Sequence, residues 1–169
     1  WVEALFDSDG DGRPDRLHVG VVRPAQTETE GLKVPTIYES SPYFSGTSGQ
    51  RQYLWNVRQE VGAEPPPRQN QPAIEAGLRA RGWNSLANDW VPRGFAVVHS
   101  EAPGTGLSQG CPTIGGPIES AAPKAVIDWL NGRVKGFTSP YGDEEVTADW
   151  STGKVGMTGT SYNGTIPVA

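Results

Sequence analysis

Residues 153–165, Gly-Lys-Val-Gly-Met-Thr-Gly-Thr-Ser-Tyr-Asn-Gly-Thr, constrain the fold of this chain more than any other stretch. They read as a strand, a sharp turn that presents Ser161, and the start of a helix. Gly159 and Gly164 flank the turn, where bulky neighbours would not fit. A serine so placed projects its hydroxyl from the end of a sheet. The residue after it, Tyr162, offers a backbone N–H to a developing oxyanion, beside the positive end of the helix. The pattern departs from the common G-x-S-x-G because its second glycine comes one residue late. By itself the segment fits an ordinary Gly/Thr/Ser/Asn turn equally well. The strand before it and the helix expected after it favour the nucleophile.

The rest of the chain supplies a setting for such a turn. Residues 95–99, Phe-Ala-Val-Val-His, form a short apolar run suited to a central parallel strand. Residues 34–39 make a second strand, and residues 154–158 lead into the elbow. Residues 1–6 and 17–24 read as an antiparallel hairpin around an acidic glycine-rich turn, the second strand ending at Pro24. A helix is expected after Ser120 as N-cap, with Pro123 in its first turn. Ala122, Val126, Trp129 and Leu130 lie on one face of it, and Gly132 stops it. Residues 25–33 and 137–152 read as polar loops. Residues 46–83 show no steady period and read as a long loop or insertion, with a short helix over 73–81. Strands alternating with helices imply an α/β fold built on a mainly parallel sheet with an antiparallel N-terminal hairpin.

Composition excludes several classes of function. A net charge of −5 leaves no basic stripe for nucleic acid, so no nucleic-acid partner is expected. No apolar run is long enough to span a membrane, so no membrane partner is expected. Cys111 is the only cysteine, which excludes an internal disulfide and a cysteine-rich zinc site; it reads as a packed thiol. A start without methionine and few lysines lean towards a secreted protein. The two histidines, His18 and His99, lie on expected strands ahead of the elbow and read as structural. Asp7, Asp9, Asp11 and Asp15, with Gly12, match calcium-loop positions. His18 stands where a bidentate Glu belongs, Pro14 interrupts the loop, and no helix flanks it. A tight hairpin turn is therefore preferred over a calcium site, and no cofactor is expected. Residues 104–106, Gly-Thr-Gly, lack the remainder of a phosphate loop and read as a turn near the active site.

The chain resembles the Xaa-Pro dipeptidyl-peptidase family of serine peptidases, α/β-hydrolases related to bacterial cocaine esterases and α-amino-acid ester hydrolases. The resemblance is carried by residues 9–15 with 22–24, 39–44 (Glu-Ser-Ser-Pro-Tyr-Phe), 104–111, 125–132, 148–155 and the elbow. It leaves out about residues 46–81. It implies that Ser161 is the nucleophile, that Tyr162 gives its backbone N–H to the oxyanion hole, and that Tyr43 gives its phenol hydroxyl as second donor. From the residues alone, Tyr43 reads as a tyrosine packing beside Phe44. The resemblance implies a peptide substrate with proline at its second position. It also implies an acid and a histidine downstream of the nucleophile. The chain is accordingly expected to be the N-terminal part of an α/β-hydrolase domain, inactive alone and completed by further residues or a second polypeptide. Two other readings compete: an esterase or amide acylase of the same superfamily, and a non-catalytic calcium-dependent binding module.

Overall fold

A computed structural model describes residues 1–44, 61–62 and 83–169. The long loop expected at 46–83 and the helix expected at 73–81 lie outside the described residues, except for 61, 62 and Trp83.

Two sheets organise the chain. In the smaller, β1 (Val2–Glu3) pairs antiparallel with β2 (Arg16–Leu17). In the larger, β3 (Val19–Val22), β4 (Val34–Ser41), β5 (Ala96–Glu101) and β6 (Ser151–Met157) lie in the order β3-β5-β4-β6. β4 runs parallel to both β5 and β6, and β3 is antiparallel to β5. The mainly parallel α/β sheet with an antiparallel N-terminal hairpin is therefore present. All six residues of β5 are buried, as its apolar run requires of a central strand. Among the described residues, β6 is paired on one side only, by β4.

The expected second hairpin strand over 17–24 is instead divided between the two sheets. His18 leaves the ladder: its N–H donates to Ser108 Oγ at 2.9 Å and its carbonyl accepts from Glu101 N at 3.1 Å. Two further elements were not expected. Gln26–Thr29 form one helical turn, α1, inside the polar loop, and Trp83–Trp90 form helix α2.

The helix α3 (Pro117–Leu130) begins three residues before the expected cap. Gly116 is its N-cap and Pro117 opens it, where the missing N–H loses no helical bond. Ser120 thus lies inside the helix, and Pro123 is interior and buried. The end is as expected. Gly132 adopts φ 70° and donates to Trp129 O at 2.9 Å, while Arg133 N donates to Asp128 O at 2.8 Å. Those two bonds close the helix through a left-handed glycine. The anticipated face of α3, Ala122, Val126, Trp129 and Leu130, meets Tyr38, Val98, Leu17 and Val2 in the core. No helix among the described residues is long and apolar enough to cross a membrane.

Candidate active site

β6 delivers the chain to the edge of β4, where Thr158 N donates to Tyr38 O at 2.9 Å. Three residues later the backbone reverses at Ser161 (φ 60°, ψ −126°) into α4 (Tyr162–Thr165). Among the described residues Ser161 is the only non-glycine with positive φ. Such a conformation costs on the order of 1–3 kcal/mol and persists only where its surroundings over-determine it.

Two glycines permit it. A Cβ on Gly159 would fall on the backbone carbonyl of Asn163, and one on Gly164 would lie 2.9 Å from Gly159 O. The turn therefore brings 159 against 163–164 at a separation only hydrogen allows. This explains why the second glycine comes one residue later than in the common motif. Gly159→Ala is expected to destabilise the elbow by about 1–3 kcal/mol, the range of core overpacking. Gly156→Ala is the control, because a Cβ there meets only Ile37 Cδ1, at 3.9 Å. Thermal unfolding of the two variants should separate them; equal melting temperatures would refute the close approach.

Ser161 is solvent-exposed, and its carbonyl accepts from Gly164 N at 2.9 Å. Tyr162 is the first residue of α4, so its N–H has no partner within the helix and is available to an anion. The ring of Tyr43, which follows β4, stands edge-on to the Tyr162 ring with centroids 6.3 Å apart. Tyr43 N donates to buried Ser41 Oγ at 3.0 Å, which holds the turn that carries it. Phe44 does not share this packing; its ring meets that of His99 at 4.9 Å. Ser161, Tyr162 and Tyr43 are thus gathered at the C-terminal ends of β4 and β6, where ligands bind in open parallel sheets.

The sequence profile of X-Pro dipeptidyl-peptidases (S15 family) matches residues 9–169. The chain belongs to that family. It is 64% identical over 171 residues to a Rhodopirellula baltica protein and 49% identical over 170 residues to one from Bacillus cereus, both bearing the name "Putative Xaa-Pro dipeptidyl-peptidase". It is 36% identical over 186 residues to the Xaa-Pro dipeptidyl-peptidase of Lactobacillus helveticus. Each alignment covers 100% of this chain but only 27%, 27% and 23% of the respective relative. The chain thus spans about a quarter of the length of these family members.

Within this family member, both histidines are engaged with carboxylates. His18 Nδ1 lies 3.2 Å from Glu101 Oε2, and buried His99 Nε2 lies 3.7 Å from Glu39 Oε2. The Gly104–Gly106 turn wraps the Glu101 carboxylate: Leu107 N donates to it at 2.6 Å, and a Cβ on Gly106 would fall on it. Cys111, expected as a packed thiol, is exposed. Its loop is tied down through the backbone instead, Cys111 N donating to Ser8 Oγ at 2.9 Å.

In the acidic turn, oxygens of Asp7, Asp9 and Asp15 lie within 4.8 Å of one another, without Asp11. These carboxylates serve the backbone. Asp7 accepts from Gly10 N at 2.7 Å and Gly12 N at 2.9 Å, Asp9 from Asp11 N at 3.2 Å, and Asp15 from Ser8 N at 3.0 Å. Asp11 accepts from Arg13 N at 2.8 Å. The Gly12 N–H, ahead of that of Gly10, holds the Asp7 carboxyl below its ordinary range.

A proline past the first turn of a helix removes a backbone hydrogen bond and kinks or breaks the helix. The elbow helix tightens instead into a 3₁₀ turn, Ile166–Val168, with Pro167 at its start. Ile166 is buried and Val168 is exposed. Sequence reasoning missed Glu39, Glu119 and Asn163 as neighbours of the site. Asn163 Nδ2 donates to Glu39 Oε1 at 2.9 Å, and the Tyr162 hydroxyl donates to Glu119 Oε2.

Proposed function

We propose that the chain carries the nucleophile and oxyanion hole of a serine peptidase that releases Xaa-Pro dipeptides from peptide N-termini. The observation that carries this reading is the left-handed Ser161 at the strand–helix turn, between two glycines that admit no Cβ, in a member of this family. Ser161 Oγ attacks the carbonyl carbon of the penultimate proline. The oxyanion that forms accepts hydrogen bonds from Tyr162 N–H and the Tyr43 hydroxyl. The serine proton passes to a general base and from it to the leaving amine as the C–N bond breaks. Water then hydrolyses the acyl-enzyme and frees the dipeptide.

The base and its acidic partner are assigned to the rest of the enzyme, following Ser161 in the order Asp, His. The chain's own histidines are committed to Glu101 and Glu39. Residues 1–169 expressed alone should therefore leave Xaa-Pro substrates intact.

The test compares chromogenic anilides of Gly-Pro and Gly-Ala with a simple nitrophenyl ester, using the full-length enzyme. A kcat/KM at least about a hundredfold higher for Gly-Pro than for Gly-Ala is expected. Fast ester cleavage without preference for proline would move the assignment to the esterase reading.

A further inference from the structure

Ser161 holds its left-handed backbone at the head of a helix only four residues long. A single turn does not keep its shape unaided. Two carboxylates from other elements grip the two residues that follow the serine. On one side, Asn163 Nδ2 donates to Glu39 Oε1 at 2.9 Å, near the end of β4. The other Glu39 oxygen faces Nε2 of His99, its partner in register on β5, at 3.7 Å. On the other side, the Tyr162 hydroxyl donates to buried Glu119 Oε2 in the first turn of α3, and itself accepts from Gly115 N at 3.2 Å. Burial acts to raise the Glu39 carboxyl, but the facing His99 ring and the hydrogen bond from Asn163 outweigh it and hold it below its ordinary range. At neutral pH it is a charged acceptor, which makes a stronger bond than a neutral one.

We propose that Glu39 and Glu119 are positioning residues: by clamping Asn163 and Tyr162 they set the direction of the Ser161 hydroxyl and of the Tyr162 N–H. Neither acts on the reacting atoms; each acts through the residue it holds. A hydroxyl turned away from its line of attack is still present and still binds substrate beside it, so the loss falls on turnover rather than affinity. The inference rests on Ser161 being the nucleophile.

The test uses the full-length enzyme with Glu39→Ala, Glu119→Ala, Asn163→Ala and Tyr162→Phe. Two quantities are measured: kcat and KM on an Xaa-Pro anilide per titrated active site, and the second-order rate of fluorophosphonate labelling. Each single change should lower kcat about tenfold or more, with KM within about twofold, and slow labelling by a similar factor. Asn163→Ala should match Glu39→Ala, and Tyr162→Phe should match Glu119→Ala, because each pair cuts one bond from its two ends. Should a glutamate variant fail to fold, its paired variant reads the same bond. Unchanged kcat per site and unchanged labelling, with only a lower melting temperature, would overturn the clamp. So would a raised KM with kcat preserved. Wild-type enzyme that the probe does not label at Ser161 would remove the nucleophile reading and this inference together. Labelled wild type with unaffected variants would remove this inference alone.

Discussion

Ser161→Ala in the full-length enzyme is expected to lower kcat on an Xaa-Pro anilide by about 10⁴-fold or more and to abolish labelling by a fluorophosphonate probe. The hydroxyl is the only group removed, from an exposed side chain. The alanine Cβ occupies the space of the serine Cβ, so the strained backbone is no more crowded than before. Stability and KM should therefore change little, and the loss should appear in kcat. Residual turnover would come from binding and from oxyanion donors that no longer have an attached nucleophile to assist. A probe adduct on a different serine, or a variant retaining a tenth of the wild-type kcat, would refute the assignment.

The second large effect belongs to Tyr43. Tyr43→Phe should lower kcat by about a hundredfold, with little change in KM, if the phenol donates to the oxyanion. The substitution keeps the ring and hence its edge-on packing against Tyr162. The turn that carries it is held by a backbone bond, Tyr43 N to Ser41 Oγ, which the substitution leaves in place. The hydroxyl gains a strong acceptor only when charge develops on the substrate oxygen, so its removal should be felt in the transition state. An unchanged kcat would return Tyr43 to the packing role that its residue type suggests. Steady-state kinetics on active-site-titrated enzyme distinguish the outcomes.

What could be read before the structure was known follows from forces that act within a few residues. The elbow is such a case: the spacing of Gly159, Ser161 and Gly164 reflects a steric limit inside six residues, and the limit is visible as clashes that a Cβ would create. The inner face of α3 and its glycine stop are another, because helical period and a left-handed C-terminal residue are local properties. The uninterrupted apolar run of β5 marked a strand buried on both faces. The start of α3 was misread because two prolines, Pro117 and Pro123, each suited a first turn. The helix starts at the earlier of the two, and Pro123 is buried in its interior.

Other features depend on partners far away along the chain. His18 breaks the expected strand because Ser108 and Glu101 compete for its backbone groups, and neither leaves a mark near residue 18. Glu39 reaches Asn163 across 124 residues and Glu119 reaches Tyr162 across 43, so no period or motif could pair them. By itself, then, the sequence determined an α/β chain with a serine at a strand–helix turn and a glycine wherever a Cβ could not fit, because short-range sterics and periodic burial are written locally. Only the tertiary structure decided which carboxylates hold that turn, where the hairpin divides between two sheets, and that Tyr43 stands against Tyr162. Those outcomes depend on which strands become neighbours, and long-range pairing of buried polar groups carries no local signature.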